Sequence, residues 1–121
     1  MPTNQDITWF RTQTEEWTLT ILQADGTPDD LTDAASVEFE VKKFEGLADP
    51  PDLHLDQSSG ITIRTQSGPN LGVCDLVASD TQTSALKAGT WRYDVYVTRT
   101  DTVRKRAMYG HLFVMDTVNL L

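Results

Sequence analysis

The sequence predicts an all-β fold: two sheets packed face to face, about seven strands in all, with one short crossover helix. Three observations lead there. Period-two alternation recurs along the chain and is clearest in "TWRYDVYVT". Here Trp91, Tyr93, Val95 and Val97 fall on one side and Arg92, Asp94, Tyr96 and Thr98 on the other. Turn residues separate such runs at the spacing of roughly 8–12 residues typical of sandwiches. Only one segment carries a helical signal.

Taken in order, residues 1–6 read as a flexible polar tail, and 7–121 as a single sandwich domain. "ITWF" is a short first strand. "EEWTLTI" follows, with Trp17, Leu19 and Ile21 on one face and Thr18 and Thr20 on the other. Gly26 and Pro28 make a turn. "SVEFEVKKF" points Val37, Phe39 and Val41 inward and Glu38, Glu40 and Lys42 outward. "EGLADPPDLHLDQSSG" reads as an irregular acidic loop, because Pro50 and Pro51 interrupt any strand. Ile61 and Ile63 belong to the next short strand. Cys74 and Leu76 belong to the one after it, which Gly72 precedes as a bulge or an edge.

In "SDTQTSALKAG", Ser79 and Gln82 have capping-box spacing, Leu86 is the inward anchor and Gly89 the stop. The strand through Trp91 comes next, then a turn at "RTDT". The final strand is "VRKRAMYGHLFVM", in which Gly110 signals a bulge or a close neighbour. Leu112 and Val114 point inward there, so Phe113 and Met115 face outward.

A single cysteine, Cys74, excludes an internal disulfide. No run approaches the roughly 20 apolar residues of a membrane helix, and no secretory leader is evident. Net charge is −8, which opposes nucleic acid. The charge is uneven: fifteen acids and five bases up to Trp91, then three acids and five bases from Arg92 onward. Arg99, Arg104, Lys105 and Arg106 cluster, and with outward Phe113 and Met115 they form the candidate protein interface.

Catalytic and metal chemistry find little support. His54, His111 and Cys74 lack zinc-ligand spacing. Asp49, Asp52 and Asp56 share a loop without the calcium-loop pattern. Glu38 and Glu40 lie roughly 6–7 Å apart on one strand face, a glycosidase-like separation, but a flat sheet offers no cleft. No nucleophile elbow or phosphate-binding glycine loop is present. The expectation is therefore a non-enzyme without cofactor or metal.

The succession "WTLTI", "LQADGTPDDLTDAASVEFEVKK", "GITI", "DTQTSALKAGTWRYDVYV" and "GHLFV" resembles small immunoglobulin-like structural proteins of tailed phages and prophages. It looks similar to the N-terminal domain of phage baseplate upper proteins and to short stand-alone relatives. The resemblance spans about residues 7–117. It implies an immunoglobulin-like sandwich acting as a virion component of tail, neck or baseplate, assembled in the host cytoplasm. Its partners would then be other virion proteins, with homo-oligomers possible and neither nucleic acid nor membrane bound. The alternative is a small β-sandwich binding module for carbohydrate or protein.

Overall fold

The computed structural model describes residues 3–23, 25–32, 34–43, 52–99 and 103–116. These form nine strands and one α-helix. In chain order the strands are β1 (Thr3–Asn4), β2 (Ile7–Phe10), β3 (Glu15–Thr20), β4 (Ala34–Lys42), β5 (Leu53–Leu55), β6 (Ile61–Ile63) and β7 (Val73–Ala78). Helix α1 (Asp80–Ala85) then leads to β8 (Gly89–Arg99) and β9 (Arg104–Met115).

The large sheet runs β1-β9-β8-β4-β5, with β2 also on β9; the small sheet runs β3-β7-β6. Pairing is antiparallel except for β1 and β2, which run parallel to β9. This is the strand order of an immunoglobulin-like sandwich. In its lettering β9, β8, β4 and β5 are G, F, C and C′, and β3, β7 and β6 are B, E and D.

Two strands exceed the seven read from the sequence. Thr3–Asn4 lies in the stretch read as a tail, yet pairs with Met108 and Tyr109. "LHL" lies in the stretch read as an irregular loop, yet Leu53 and Leu55 are buried and pair with Val41 and Phe39. Three residues between acids and prolines carry too little alternation to stand out. Pro50, Pro51 and Asp49, and the turn residues 100–102, lie outside the described residues.

The two sheets are joined by aromatic packing. Trp17 of the small sheet meets Tyr93 edge-on at 5.6 Å between ring centroids and Phe39 at 6.2 Å. Phe39 stacks on Tyr93 at 5.4 Å and touches Trp9 at 5.5 Å. Strands B, F and C are the ones that carry the inter-sheet disulfide and its buried Trp in antibody domains. Here β3, β8 and β4 use three aromatic rings instead, and Cys74 is a free buried thiol.

The aromatic polar groups are satisfied. The Trp91 indole N–H donates to Lys87 O at 2.9 Å, and the Tyr93 hydroxyl donates to Gln5 O. That last bond explains Gly110, which sits opposite Tyr93. A Cβ at Gly110 would lie 2.1 Å from Gln5 O and 3.0 Å from the Tyr93 ring. Gly110 is therefore the close-neighbour glycine. The bulge falls elsewhere: the register shifts between Val95 and Tyr96, opposite the stretch Arg106–Met108. The extra residue keeps Met108 in the core while Arg106 stays on the outer face beside Tyr96.

The helix is held at both ends. The Ser79 hydroxyl accepts from Gln82 N at 3.2 Å, and Gln82 Oε1 accepts from Ser79 N at 2.8 Å, completing the capping box. Thr83 donates to Gln13 O at 2.8 Å, which fastens the helix to the β2–β3 turn. Leu86 is buried, as its spacing indicates. The helix ends sooner than the Gly89 stop implied: Leu86 is the C-cap and Gly89 opens β8. Lys87, just past the C-cap, gives its carbonyl to the Trp91 indole N–H.

The outer face of the small sheet is tied by a bidentate pair. Arg64 Nε and Nη2 reach the Asp75 carboxylate at 2.7 and 2.8 Å, and the Thr18 hydroxyl donates to it at 2.9 Å. The Arg64 bond, then the Thr18 bond, hold the Asp75 carboxyl below its ordinary 3.8, against partial desolvation. A depressed carboxyl contributes stability above its unfolded value and loses it as pH falls through the folded value.

Two outcomes follow. Gly110→Ala should lower stability by about 1–3 kcal/mol in urea unfolding, because the new methyl collides with the β1–β2 connection. Asp75→Asn should be less stable than wild type at neutral pH. The gap in melting temperature should close as the pH is taken below 3.8, and a gap unchanged in acid would contradict the pairing.

Candidate functional site

β4, β8 and β9 alternate, so their charged residues share the outer face of the large sheet, and β5 extends that face at its edge. The basic residues noted in the sequence lie there or at its rim, and three of the four are paired. Arg99 binds the Asp29 carboxylate and donates to Asp30 O at 2.9 Å. Arg104 reaches Glu40 at 2.9 Å and Glu38 at 3.5 Å, with its guanidinium 3.6 Å from the Tyr96 ring centroid. Arg106 bonds Asp94 at 3.3 Å and lies 4.7 Å over Tyr109. Lys105 is exposed at the start of β9, and no ion pair of its ammonium is seen among the described residues. The basic cluster is thus mostly a cross-strand ladder of ion pairs and cation–π contacts, with the acids of β4 and β8 as its counter-charges.

Glu38, Glu40 and His54 come together on this face, with potential ligand atoms within 4.8 Å of one another. The Arg104 guanidinium already bridges both carboxylates, and His54 Nε2 lies 3.0 Å from Glu38. A cation of the protein's own therefore occupies the position a metal would need. The Glu38 carboxyl feels burial, which raises it, but bonds from His54 and Arg104 outweigh that and leave it below its ordinary value. A general acid needs the opposite shift, so the Glu38–Glu40 pair reads as structural.

Cys74 faces the core from β7, and burial pushes its thiol up to about 12. His111 projects from the other face of the large sheet, half-buried. The two lie on opposite sides of that sheet and make no nucleophile–base pair. Asp56, one of the loop acids, accepts from Ser58 N, Ser58 Oγ and Ser59 Oγ in its own turn.

One part of the outer face is apolar. Where β2 pairs with β9, Phe10 lies opposite Met115, and Thr8 opposite Phe113. Phe10 is 42% exposed and Met115 48%. Phe113 is half-buried and stacks on His111 at 6.0 Å. The strip is rimmed by both signs of charge: Arg11 with Asp116 at 3.0 Å, and Asp6 accepting the His111 backbone N–H at 2.9 Å. The alternation in "GHLFVM" already pointed Phe113 and Met115 outward. Phe10 carries no such signal, because nothing local in "ITWF" tells that its strand lies beside β9.

No family model matches the chain, and no curated protein matches it. Solved structures with partial likeness include extracellular domains 3–5 of Drosophila OTK, with 14% identity over 98% of this chain and 34% of that one, at a TM-score of 0.31. A second is a 2,6-sialyltransferase from Photobacterium sp. JT-ISH-224, with 10% identity over 95% of this chain and 18% of that one, also at a TM-score of 0.31. The chain thus spans about a third of the first and a fifth of the second, and the fold assignment rests on its own strand order.

Proposed function

We propose that the chain is a non-enzymatic immunoglobulin-like interaction module that binds another protein through the Phe10–Phe113–Met115 strip. The observation that carries this reading is the contrast within one sheet face. Beside the strip, charged side chains are consumed by ion pairs across neighbouring strands, whereas Phe10 and Met115 stand open to water. An exposed apolar patch with a charged rim is the usual mark of a protein contact. The paired arginines also add little long-range attraction, so shape and apolar burial, rather than charge steering, set the affinity.

A protein partner is favoured over carbohydrate. Sugar-binding platforms are commonly built on open tryptophan or tyrosine faces, and Trp9, Trp17 and Tyr96 do not offer one. Trp9 is buried, Trp17 packs on Phe39 and Tyr93, and Tyr96 lies under Arg104. The sequence resemblance to small phage structural domains supports one setting: a tail, neck or baseplate subunit whose partners are other virion proteins.

The test is site-specific photo-crosslinking in the source cells. A benzophenone amino acid at Phe10 should yield one dominant protein adduct. The same probe at Thr62, on the outer face of the small sheet, should not. Recovery of the adduct with sedimented particles would support the virion setting. Phe10→Ser with Met115→Ser should leave the chain folded at a cost of about 1–2 kcal/mol in stability, since each side chain is about half buried, and should weaken binding of that partner by roughly tenfold or more. Equal labelling from both positions, or none from Phe10, would sink the strip as the binding surface.

A further inference from the structure

Among the described residues, the small sheet has an open edge at β3. In the seven-strand immunoglobulin sandwich the first strand lies beside B, giving the order A-B-E-D. Here the N-terminal strands β1 and β2 have both gone to β9, and β3 pairs with β7 alone. Among the described residues, no backbone hydrogen bond reaches the far side of Glu15–Thr20. The other outer strands are shorter or capped. β5 and β6 have three residues each, and the Glu15 carboxylate accepts the Phe10 N–H at 2.8 Å on β2. Among the described strands, β3, with six residues, is the long edge left open.

The side chains along β3 suit a strand partner. Trp17 is half-buried on the inner side and is held rigid by its edge-on contacts with Phe39 and Tyr93. Glu16 and Thr18 are exposed on the outer side.

We infer that β3 pairs antiparallel with β3 of a second copy of this chain, about a two-fold axis at Trp17, joining two small sheets into one of six strands. Residues directly opposite in an antiparallel pair share a face. An axis at Trp17 therefore sets Trp17 against Trp17, Glu16 against Thr18 and Glu15 against Leu19. No carboxylate then faces a carboxylate, although each copy carries a net charge of −8. A parallel pairing in register would stack Glu15 on Glu15 and Glu16 on Glu16, which like-charge repulsion disfavours. The two-fold arrangement is closed, so it stops at a dimer. It leaves the Phe10–Phe113–Met115 strip free, and it does not depend on the function proposed above.

Sedimentation equilibrium of the full chain tests this. The expected mass rises with concentration from 13.5 kDa to twice that value. Thr18→Lys places an ammonium opposite Glu16 twice per dimer and should tighten the dimer about tenfold; Thr18→Glu should loosen it about tenfold. Thermal melts of each variant confirm that the monomer remains folded. A mixture of Glu16→Cys and Thr18→Cys chains should oxidise to the mixed disulfide in preference to either symmetric one, because opposite Cα atoms fall within disulfide range. Cys74 is buried and does not compete. A monomer mass at about 1 mM would overturn the inference. So would a dimer that ignores both charges at position 18 and forms no mixed disulfide. A dimer that dissociates on Phe10→Ser but ignores Thr18 would move self-association to the strip and likewise overturn it.

Discussion

The aromatic contact between Trp17, Phe39 and Tyr93 is the constraint on which the rest of the structure depends. It is the point where the small sheet locks to the large one. A sandwich without a disulfide must fix the relative position of its sheets by packing alone, and large rings with preferred edge-on geometry do this better than aliphatic side chains. Tyr93 also anchors the N-terminal connection through its hydroxyl. That bond is possible only because residue 110 has no side chain. One ring thus couples β3, β4, β8 and β9 to the segment that carries β1 and β2, and so fixes where Phe10 lies beside Met115.

The outer face of the large sheet is divided by the same register. Toward the β8–β9 turn, the bulge opposite Val95 and Tyr96 puts Arg104 and Arg106 over Tyr96 and Tyr109 and within reach of Glu38, Glu40 and Asp94. Toward the other end, beyond His111, the outward positions turn apolar. A shift of one residue in β9 would exchange these residues with the core set. The ion-pair ladder and the strip are therefore products of one strand register, and the bulge is what allows a charged half and an apolar half to lie on one strand face.

Much of this was legible in the sequence. Period-two alternation identifies β4, β8 and the C-terminal half of β9 and assigns their buried faces, because each is long and flanked by turn residues. The capping box at Ser79 and Gln82 is a local chemical signature and appears as read. What was hidden depends on non-local pairing. β5 is too short to show a period, and β1 is a strand only because Gly110 lets it approach β9. The Arg99–Arg106 cluster reads from the sequence as a candidate interface; its ion pairs do not show there because the acids lie on β4 and β8 or, for Arg99, at Asp29, far away in sequence. Phe10 becomes part of a site only when β2 is placed on β9.

The parallel pairing of the first strands with the last has a consequence for how the chain comes to be folded. Arg11 and Asp116, and likewise Asp6 and His111, are 105 residues apart yet bonded. Closing so long a loop costs entropy before any contact repays it. During synthesis, Trp9 must wait for Val114, its neighbour across the sheet, to leave the ribosome. Until then the nascent chain holds an exposed tryptophan and an incomplete sheet edge, the state most open to mispairing with other copies. The large sheet is thus closed by the last of the described strands, and its first strands stay without their neighbour until that strand has been made.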